Sequence, residues 1–124
     1  MTVPRPAGHY SPFTRAGDAV YVSGQVPREP DGTYAPADVA TETALALRNL
    51  AAVVAAAGGG PESVVKVTAY LIDAADFAEF DRAYADHFGA HRPARTTVVV
   101  GLRQVKVEVD AVLHLPLPSG DARS

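Results

Sequence analysis

The chain has 124 residues, which is enough for one hydrophobic core but leaves little room for a second. It is 48% hydrophobic and 20% charged with a net charge of −3, a balance that argues against nucleic acid or an anionic membrane as a partner. The absence of cysteine excludes disulfides, thiolate catalysis and cysteine-based zinc sites. We therefore expect one domain over residues 1–124 in the cytoplasm, with no signal peptide at its start.

The first half of the chain predicts a strand followed by a long helix. Tyr21-Val22-Ser23 follows a turn signal at Gly17-Asp18, so residues 18–25 predict a strand. A loop with three prolines and one glycine then leads to Asp38, whose carboxylate can cap a helix. Gly58 and its neighbours end that helix. Its mostly apolar side chains recur at steps of three and four and predict one buried stripe: Val39, Thr43, Leu47, Leu50, Val54 and Ala57.

The second half predicts three strands and one helix. Residues 64–72, 96–100 and 105–115 are strand-like, and the tail from about residue 116 is expected to be frayed. Strand, helix, strand, helix, strand, strand is an order that indicates an α+β fold, with both helices on one face of a sheet. The second helix is capped by Asp73 and ended by Gly89, and its aromatic residues are expected in the core: Phe77, Phe80, Tyr84 and Phe88.

Two carboxylates share one face of the last predicted strand. Strand alternation places Glu108 and Asp110 opposite Val107 and Val109. The simpler interpretation is the solvent-facing side of an amphipathic strand, and periodicity alone favours it. The functional interpretation is a general acid or base, because a carboxylate in a partly apolar cleft has a raised pKa.

Arg95 follows Pro93-Ala94 at the start of another predicted strand, with Thr97 on the same face. Its guanidinium could form a bidentate pair with a substrate carboxylate. The alternatives are a surface arginine or an ion pair with Asp110, and for Arg95 in isolation these alternatives are favoured.

Other kinds of chemistry have weaker support. The spacing around Ser23 lacks the first glycine of a nucleophile elbow, which argues against a serine hydrolase. Ser23 could still offer a hydroxyl group, and Gly24 could let a ligand approach its backbone. His87 and His91 are four residues apart, but Gly89 interrupts the helix between them and no HExxH pattern is present. We therefore expect no metal site.

Four short motifs follow one another along the chain: GHYS at residues 8–11, VYVSGQVP at 20–27, PARTTV at 93–98 and VEVDA at 107–111. In order and rough spacing they resemble the RidA (YjgF) family of enamine/imine deaminases, over about residues 8–115. The resemblance implies a chorismate-mutase-like domain with a mixed sheet. It also implies a barrel-like homotrimer with three clefts, each lined by two subunits.

The resemblance further implies hydrolysis of reactive 2-enamine or 2-imine acids to 2-keto acids and ammonia, without a metal or organic cofactor. By this resemblance, Arg95 would hold the substrate carboxylate and Glu108 would position the hydrolytic water. The positions that match ligand-contacting residues are Tyr10, Ser23, Gly24 and Thr97.

Two other hypotheses stand beside the deaminase: a non-catalytic trimeric binder of small carboxylates, and a pathway-specific tailoring enzyme on the same scaffold. The tailoring enzyme is favoured by departures from the family pattern around the expected pocket, at His9, Pro12, Phe13 and Val99. The connection from Arg95 to Glu108 is also shorter than is usual in the family. RNA cleavage has been associated with the family, but the charge balance here gives it no support.

Overall fold

The computed structural model describes residues 2–118, which form one five-stranded sheet and two α-helices. The elements are β1 (Phe13–Ala16), β2 (Ala19–Gln25), α1 (Val39–Ala56), β3 (Val64–Leu71), α2 (Phe77–Phe88), β4 (Ala94–Val99) and β5 (Val107–His114). The sheet order is β1-β2-β5-β3-β4, with β3 and β4 parallel and the other neighbours antiparallel. An α+β fold with a mixed sheet is therefore confirmed.

Strand β1 is the element that the sequence pattern does not predict, since it has four residues and three of them are exposed. The predicted strand at 105–115 is shortened to β5, and residues 116–118 lie outside helices and strands. The rest of the expected frayed tail, residues 119–124, lies outside the described residues.

Helix α1 begins and ends as the sequence predicts. The Asp38 carboxylate accepts the Thr41 N–H at 2.8 Å, and Gly58 follows the helix with a φ of +98°, which favours glycine. The predicted stripe is buried, apart from Ala57, which is partly buried against the core. By length and mean hydropathy (1.3) α1 could also cross a membrane, but more than half of it is buried in the fold. Core helices of soluble proteins pass the same test, so it is weak evidence for a membrane span.

Helix α2 follows a short 3-10 turn over Ala74–Asp76, and it is this turn that Asp73 caps, through the Ala75 N–H at 2.9 Å. Gly89 ends α2 with a φ of +61°. Three of the four aromatic residues expected in the core are buried, but Phe77 is 44% exposed, so that expectation is wrong for Phe77. Phe77 lies in the first turn of α2, where its ring lies beside Arg95 rather than under the sheet.

Both helices pack on one face of the sheet, as expected. On β5 the alternate residues Val107, Val109, Ala111 and Leu113 are buried and belong to the core formed with both helices. The intervening side chains face the other side of the sheet, where Tyr21 is 49% exposed. We call this second side the open face. Strand β4 forms one edge of the sheet, so its outer backbone groups have no partner strand within residues 2–118.

Candidate functional site

Glu108 lies on the open face, where it contacts the backbone of Gly24. The antiparallel pairing of β2 with β5 shifts register between Val22 and Gln25, which brings Gly24 over Glu108. A Cβ atom at Gly24 would overlap Glu108 Oε2. Glycine is therefore needed at position 24 to leave room for the carboxylate, which agrees with the predicted close approach at Gly24.

The pKa of Glu108 is raised, chiefly because burial disfavours its ionised form and also because of the negative charge of Asp110. Asp110 accepts a hydrogen bond from the Tyr70 hydroxyl at 2.6 Å, and this bond, together with burial, raises the pKa of Tyr70 to about 12. Within residues 2–118 no side chain or backbone N–H donates a hydrogen bond to the Glu108 carboxylate. Glu108 is thus a half-buried acid whose oxygens are free to contact a small molecule.

A cavity of about 810 Å³ lies beside Glu108. Its walls come from the N-terminal segment, the loop after β2 and the loop before β5, and Tyr10, Gly24 and Glu108 all line it. The Tyr10 hydroxyl accepts the Ala7 N–H at 3.0 Å, and the residue is 48% exposed. Three of the predicted site residues therefore share one cavity.

Ser23 lies next to this group but does not line the cavity. Its hydroxyl donates to the Ser11 carbonyl at 2.7 Å, and its backbone N–H donates to the Pro12 carbonyl at 3.0 Å. Both bonds tie the N-terminal segment that carries Tyr10 to strand β2. In this conformation Ser23 positions the cavity wall, and direct contact with a ligand stays a prediction.

Arg95 belongs to a second group of residues, at the edge of the sheet beside α2. Its guanidinium pairs with Asp81 at 2.9 Å and lies 5.6, 5.2 and 4.6 Å from the ring centroids of Phe77, Phe80 and Tyr84. The Arg95 side chain is only 19% exposed. Its carboxylate partner is thus Asp81 and not Asp110, the pairing that the sequence left as an alternative.

Arg95 and Glu108 face opposite sides of the sheet within one chain. Arg95 is in register with Val67 of β3, which is buried on the helix side. Glu108 is in register with Tyr70 of the same strand, and residues three apart on a strand face opposite sides. Thr97, in register with Ala69, shares the helix side with Arg95. A single chain therefore does not bring the two predicted catalytic residues together.

The histidines take part in neither group. His91 Nε2 lies 2.8 Å from the Val64 carbonyl oxygen, and the His87 ring packs edge-on against Phe88. Within residues 2–118 no three His, Asp or Glu side chains cluster in a way that could hold a metal ion.

A family model described as Endoribonuclease L-PSP matches residues 1–115. The chain belongs to the RidA (YjgF) family. It is 37% identical over 114 residues to the RutC family protein PH0854 of Pyrococcus horikoshii, with 90% of each chain covered. It is 34% identical over 114 residues, with 88% of each chain covered, to TdcF of Escherichia coli K12, which is provisionally named a reactive intermediate deaminase.

Solved structures of RidA family members have the same fold. The crystal structure of yeast Mmf1 matches with a TM-score of 0.88 at 33% identity, covering 92% of this chain and 93% of Mmf1. The structure of E. coli TdcF with bound serine matches with a TM-score of 0.83 at 34% identity, covering 90% of this chain and 92% of TdcF. A small amino acid is therefore held by a relative whose fold covers nearly all of this chain.

A buried acid that the sequence prediction missed is Glu42. Glu42 is buried in α1, and its carboxylate accepts hydrogen bonds from the Tyr34 hydroxyl and from the backbone N–H groups of Ala37 and Lys106. Burial alone would raise the pKa of Glu42, but these bonds outweigh it and leave the pKa lowered. A charged residue three positions after Val39, on the apolar stripe, is the signal that could have revealed it.

Proposed function

We propose that this protein is a homotrimeric deaminase that hydrolyses 2-enamine and 2-imine acids to 2-keto acids and ammonia. The observation that carries the proposal is Glu108, a half-buried acid with a raised pKa that faces a cavity shared with Tyr10 and Gly24. Carboxylic acids with raised pKa values suit proton transfer near neutral pH. The provisional name of TdcF as a reactive intermediate deaminase supports the same reaction class.

Hydrolysis of such an acid requires that the substrate and a water molecule are positioned and that protons are transferred. A 2-enamine acid gains a proton at C3 and becomes the 2-imine; water then adds to C2, forming a C–O bond while the imine nitrogen gains a proton. The new hydroxyl group then gives up its proton, the nitrogen gains it, and breakage of the C–N bond releases ammonia and leaves the keto group. Glu108 would take the proton from the attacking water and return it to the leaving nitrogen, while Arg95 would hold the substrate carboxylate in one orientation.

The placement of Arg95 supports a cleft built by two subunits. Arg95 and Thr97 lie on β4, the edge strand, whose outer side has no strand partner among residues 2–118. Glu108 lies on the open face, which no helix or further strand covers within residues 2–118. Contact between the edge of one subunit and the open face of the next would place Arg95 of the partner subunit beside Glu108. The serine in the TdcF structure, a small carboxylate-bearing molecule, is consistent with such a cleft.

Hydrolysis of 2-iminobutyrate tests this function directly. The imine is generated in situ from threonine by a threonine dehydratase, and semicarbazide traps whatever is not hydrolysed. The wild-type protein should lower semicarbazone formation, and Arg95→Ala should abolish that effect while the mass in solution stays three times 12.9 kDa. Arg82→Gln, on the exposed side of α2, is the matched control and should behave as wild type. Full activity of Arg95→Ala would overturn the assignment.

A non-catalytic binder of small carboxylates is the second candidate, since the TdcF structure holds serine. Both candidates need Arg95, but only the deaminase needs Glu108. If neither the wild type nor Glu108→Gln turns over the imine, while both bind 2-oxobutyrate equally by calorimetry, the binder is the better description. The family name also calls for an RNA-cleavage control, although the net charge of −3 does not favour RNA binding.

A further inference from the structure

Arg28 also lines the cavity beside Glu108. Arg28 follows Gly24 by four residues, so its Cα lies at most roughly 14 Å from the Cα of Gly24. Gly24, Arg28 and Glu108 all line the cavity. An acid and a cation therefore face the same space within one chain, independently of Arg95.

Arg28 is held in place by neutral partners. One terminal nitrogen donates to the Gly32 carbonyl at 3.3 Å, the other donates to Gln104 Oε1, and the guanidinium lies 5.2 Å from the Tyr34 ring centroid. A guanidinium carries more N–H donors than the two used here, so donors remain for a bidentate contact with an anion. The orientation is fixed, but the charge is not neutralised.

Nearby carboxylates do not compensate this charge. Within residues 2–118 no ion pair joins Arg28 to an Asp or Glu. Glu29 also lines the cavity, but it is paired with Arg48 at 3.2 Å. Arg5 and Arg103 line the cavity as well and add positive charge. The cavity therefore favours an anionic group near Arg28.

The residue that holds Arg28 has an unusual backbone. Gln104 has a φ of +70°, the left-handed region that residues other than glycine seldom adopt. Its side chain accepts from Arg28, and its carbonyl accepts the Tyr34 hydroxyl at 3.2 Å. Such conformations cost free energy and persist where surrounding contacts enforce them, often at ligand sites. Gln104 and Arg28, which are joined by this hydrogen bond, both line the cavity.

Glu108 and Arg28 line one continuous cavity of the single chain, so one ligand can be in contact with both ends of it. A substrate with a second anionic group could place its 2-imino acid end at Glu108 and its other end at Arg28. We propose that Arg28 is a second anion subsite, and that the preferred substrates are 2-imino dicarboxylic acids. This inference rests on the proposed function for the end of the substrate at Glu108.

Binding of the keto-acid products tests the subsite without requiring turnover. Calorimetry compares 2-oxoglutarate with 2-oxopentanoate, which has the same chain length but no second carboxylate. The wild type should bind 2-oxoglutarate roughly tenfold more tightly, which corresponds to about 1.4 kcal/mol for one charged contact. Arg28→Gln should remove this preference and leave 2-oxopentanoate binding unchanged, whereas Arg82→Gln should keep it. Equal affinities in the wild type, or a preference that survives Arg28→Gln, would overturn the subsite.

Turnover separates failure of the subsite from failure of the deaminase. The two imines are made by glutamate oxidase from glutamate and by an amino-acid oxidase from norvaline. Hydrolysis of both at equal kcat/KM, unaffected by Arg28→Gln, rejects the subsite and leaves the proposed function standing. Selective binding of 2-oxoglutarate without hydrolysis of either imine supports the subsite and rejects the deaminase. If Arg28→Gln folds poorly, Arg28→Lys takes its place. Lysine keeps the positive charge but loses the two-pronged guanidinium contact, so this variant should show an intermediate preference for 2-oxoglutarate.

Discussion

Arg95 and Glu108 project from opposite faces of one sheet, Arg95 onto the aromatic rings of α2 and Glu108 into the cavity on the open face. No rotamer change in a single chain would carry one side chain through the sheet to the other. If both residues act on one substrate, as proposed, they must come from different subunits. On that proposal, activity requires an oligomer.

Mixed trimers of two inactive variants should recover activity. When Arg95→Ala and Glu108→Gln chains are refolded together in equal amounts, a site is intact where a subunit with Arg95 meets a neighbour with Glu108. Random assembly gives about one quarter of the wild-type sites in a cyclic trimer. Imine hydrolysis by the mixture, compared with each variant alone, measures this fraction. Activity that stays at the level of the separate variants would contradict a cleft shared between subunits.

Asp81 should weaken the binding of a substrate carboxylate to Arg95, because the Asp81 carboxylate already pairs with the Arg95 guanidinium at 2.9 Å. Removing its charge in Asp81→Asn leaves more of the positive charge for the ligand. The half-exposed position limits the gain, so we expect roughly two- to fivefold tighter binding of 2-oxobutyrate. Calorimetry with Asp86→Asn, an exposed acid on the same helix, is the control. Weaker binding by Asp81→Asn would mean that Asp81 orients Arg95 instead of competing with the ligand.

The sequence predicted the position of Glu108 better than it predicted the surroundings of Arg95. Alternation of apolar residues on β5 fixes the face of Glu108, because Val107 and Val109 must be buried. Strand β4 is an edge strand with a weak burial pattern, so its alternation does not show which face Arg95 takes. That face follows from the register with β3, a long-range property that local spacing cannot supply.

The same limit explains why Arg28 and Glu42 were not predicted as important residues. Their roles depend on Gln104 and Lys106, which lie more than 60 residues away along the chain. By contrast, the helix ends at Asp38, Gly58 and Gly89 were predicted well, since caps depend on neighbouring residues.

Gly24→Ala should reduce activity while leaving the fold intact. The new methyl group would overlap Glu108 Oε2, and the flexible glutamate side chain can move aside at little cost to stability. Displacement of an acid by about 1 Å is enough to reduce kcat/KM roughly tenfold or more. Imine hydrolysis and a thermal melt measure the two effects. In the Glu108→Gln background the same substitution should cause no additional loss, and an additive loss would show that Gly24 acts independently of Glu108.

Asp110→Asn should shift the acidic limb of the pH–rate profile to lower pH. Asp110 contributes to the raised pKa of Glu108, so removing its charge makes Glu108 easier to ionise. If ionised Glu108 activates the water that attacks the imine, kcat/KM rises as pH increases through that pKa. The profile of kcat/KM for 2-iminobutyrate measures the shift. Tyr70→Phe removes the hydrogen bond to Asp110 but keeps the charge of Asp110, so it should not shift the acidic limb to lower pH. If the acidic limb of the pH–rate profile lies at the same pH in Asp110→Asn as in the wild type, Glu108 is not the titrating base.

Glu42→Gln should destabilise the fold, and the loss should depend on pH. Its carboxylate accepts the Lys106 N–H at 2.9 Å and so anchors the residue that precedes β5, the strand that carries Glu108. The amide has one acceptor oxygen where the carboxylate has two, which leaves buried donors unsatisfied and should cost about 2–4 kcal/mol in the free energy of unfolding at pH 7.

The sign of the pH dependence follows from the lowered pKa of Glu42. A carboxyl group whose pKa is lower in the folded state stabilises the protein above its unfolded pKa, and this contribution disappears as pH falls through the folded value. The difference between the wild type and Glu42→Gln in urea denaturation should therefore be largest near neutral pH and should shrink below the ordinary glutamate pKa of 4.5. Glu62→Gln, an exposed acid, should change stability by less than about 0.5 kcal/mol at either pH. A pH-independent loss in Glu42→Gln would mean that packing of the side chain, and not its charge, holds Lys106 at the start of β5.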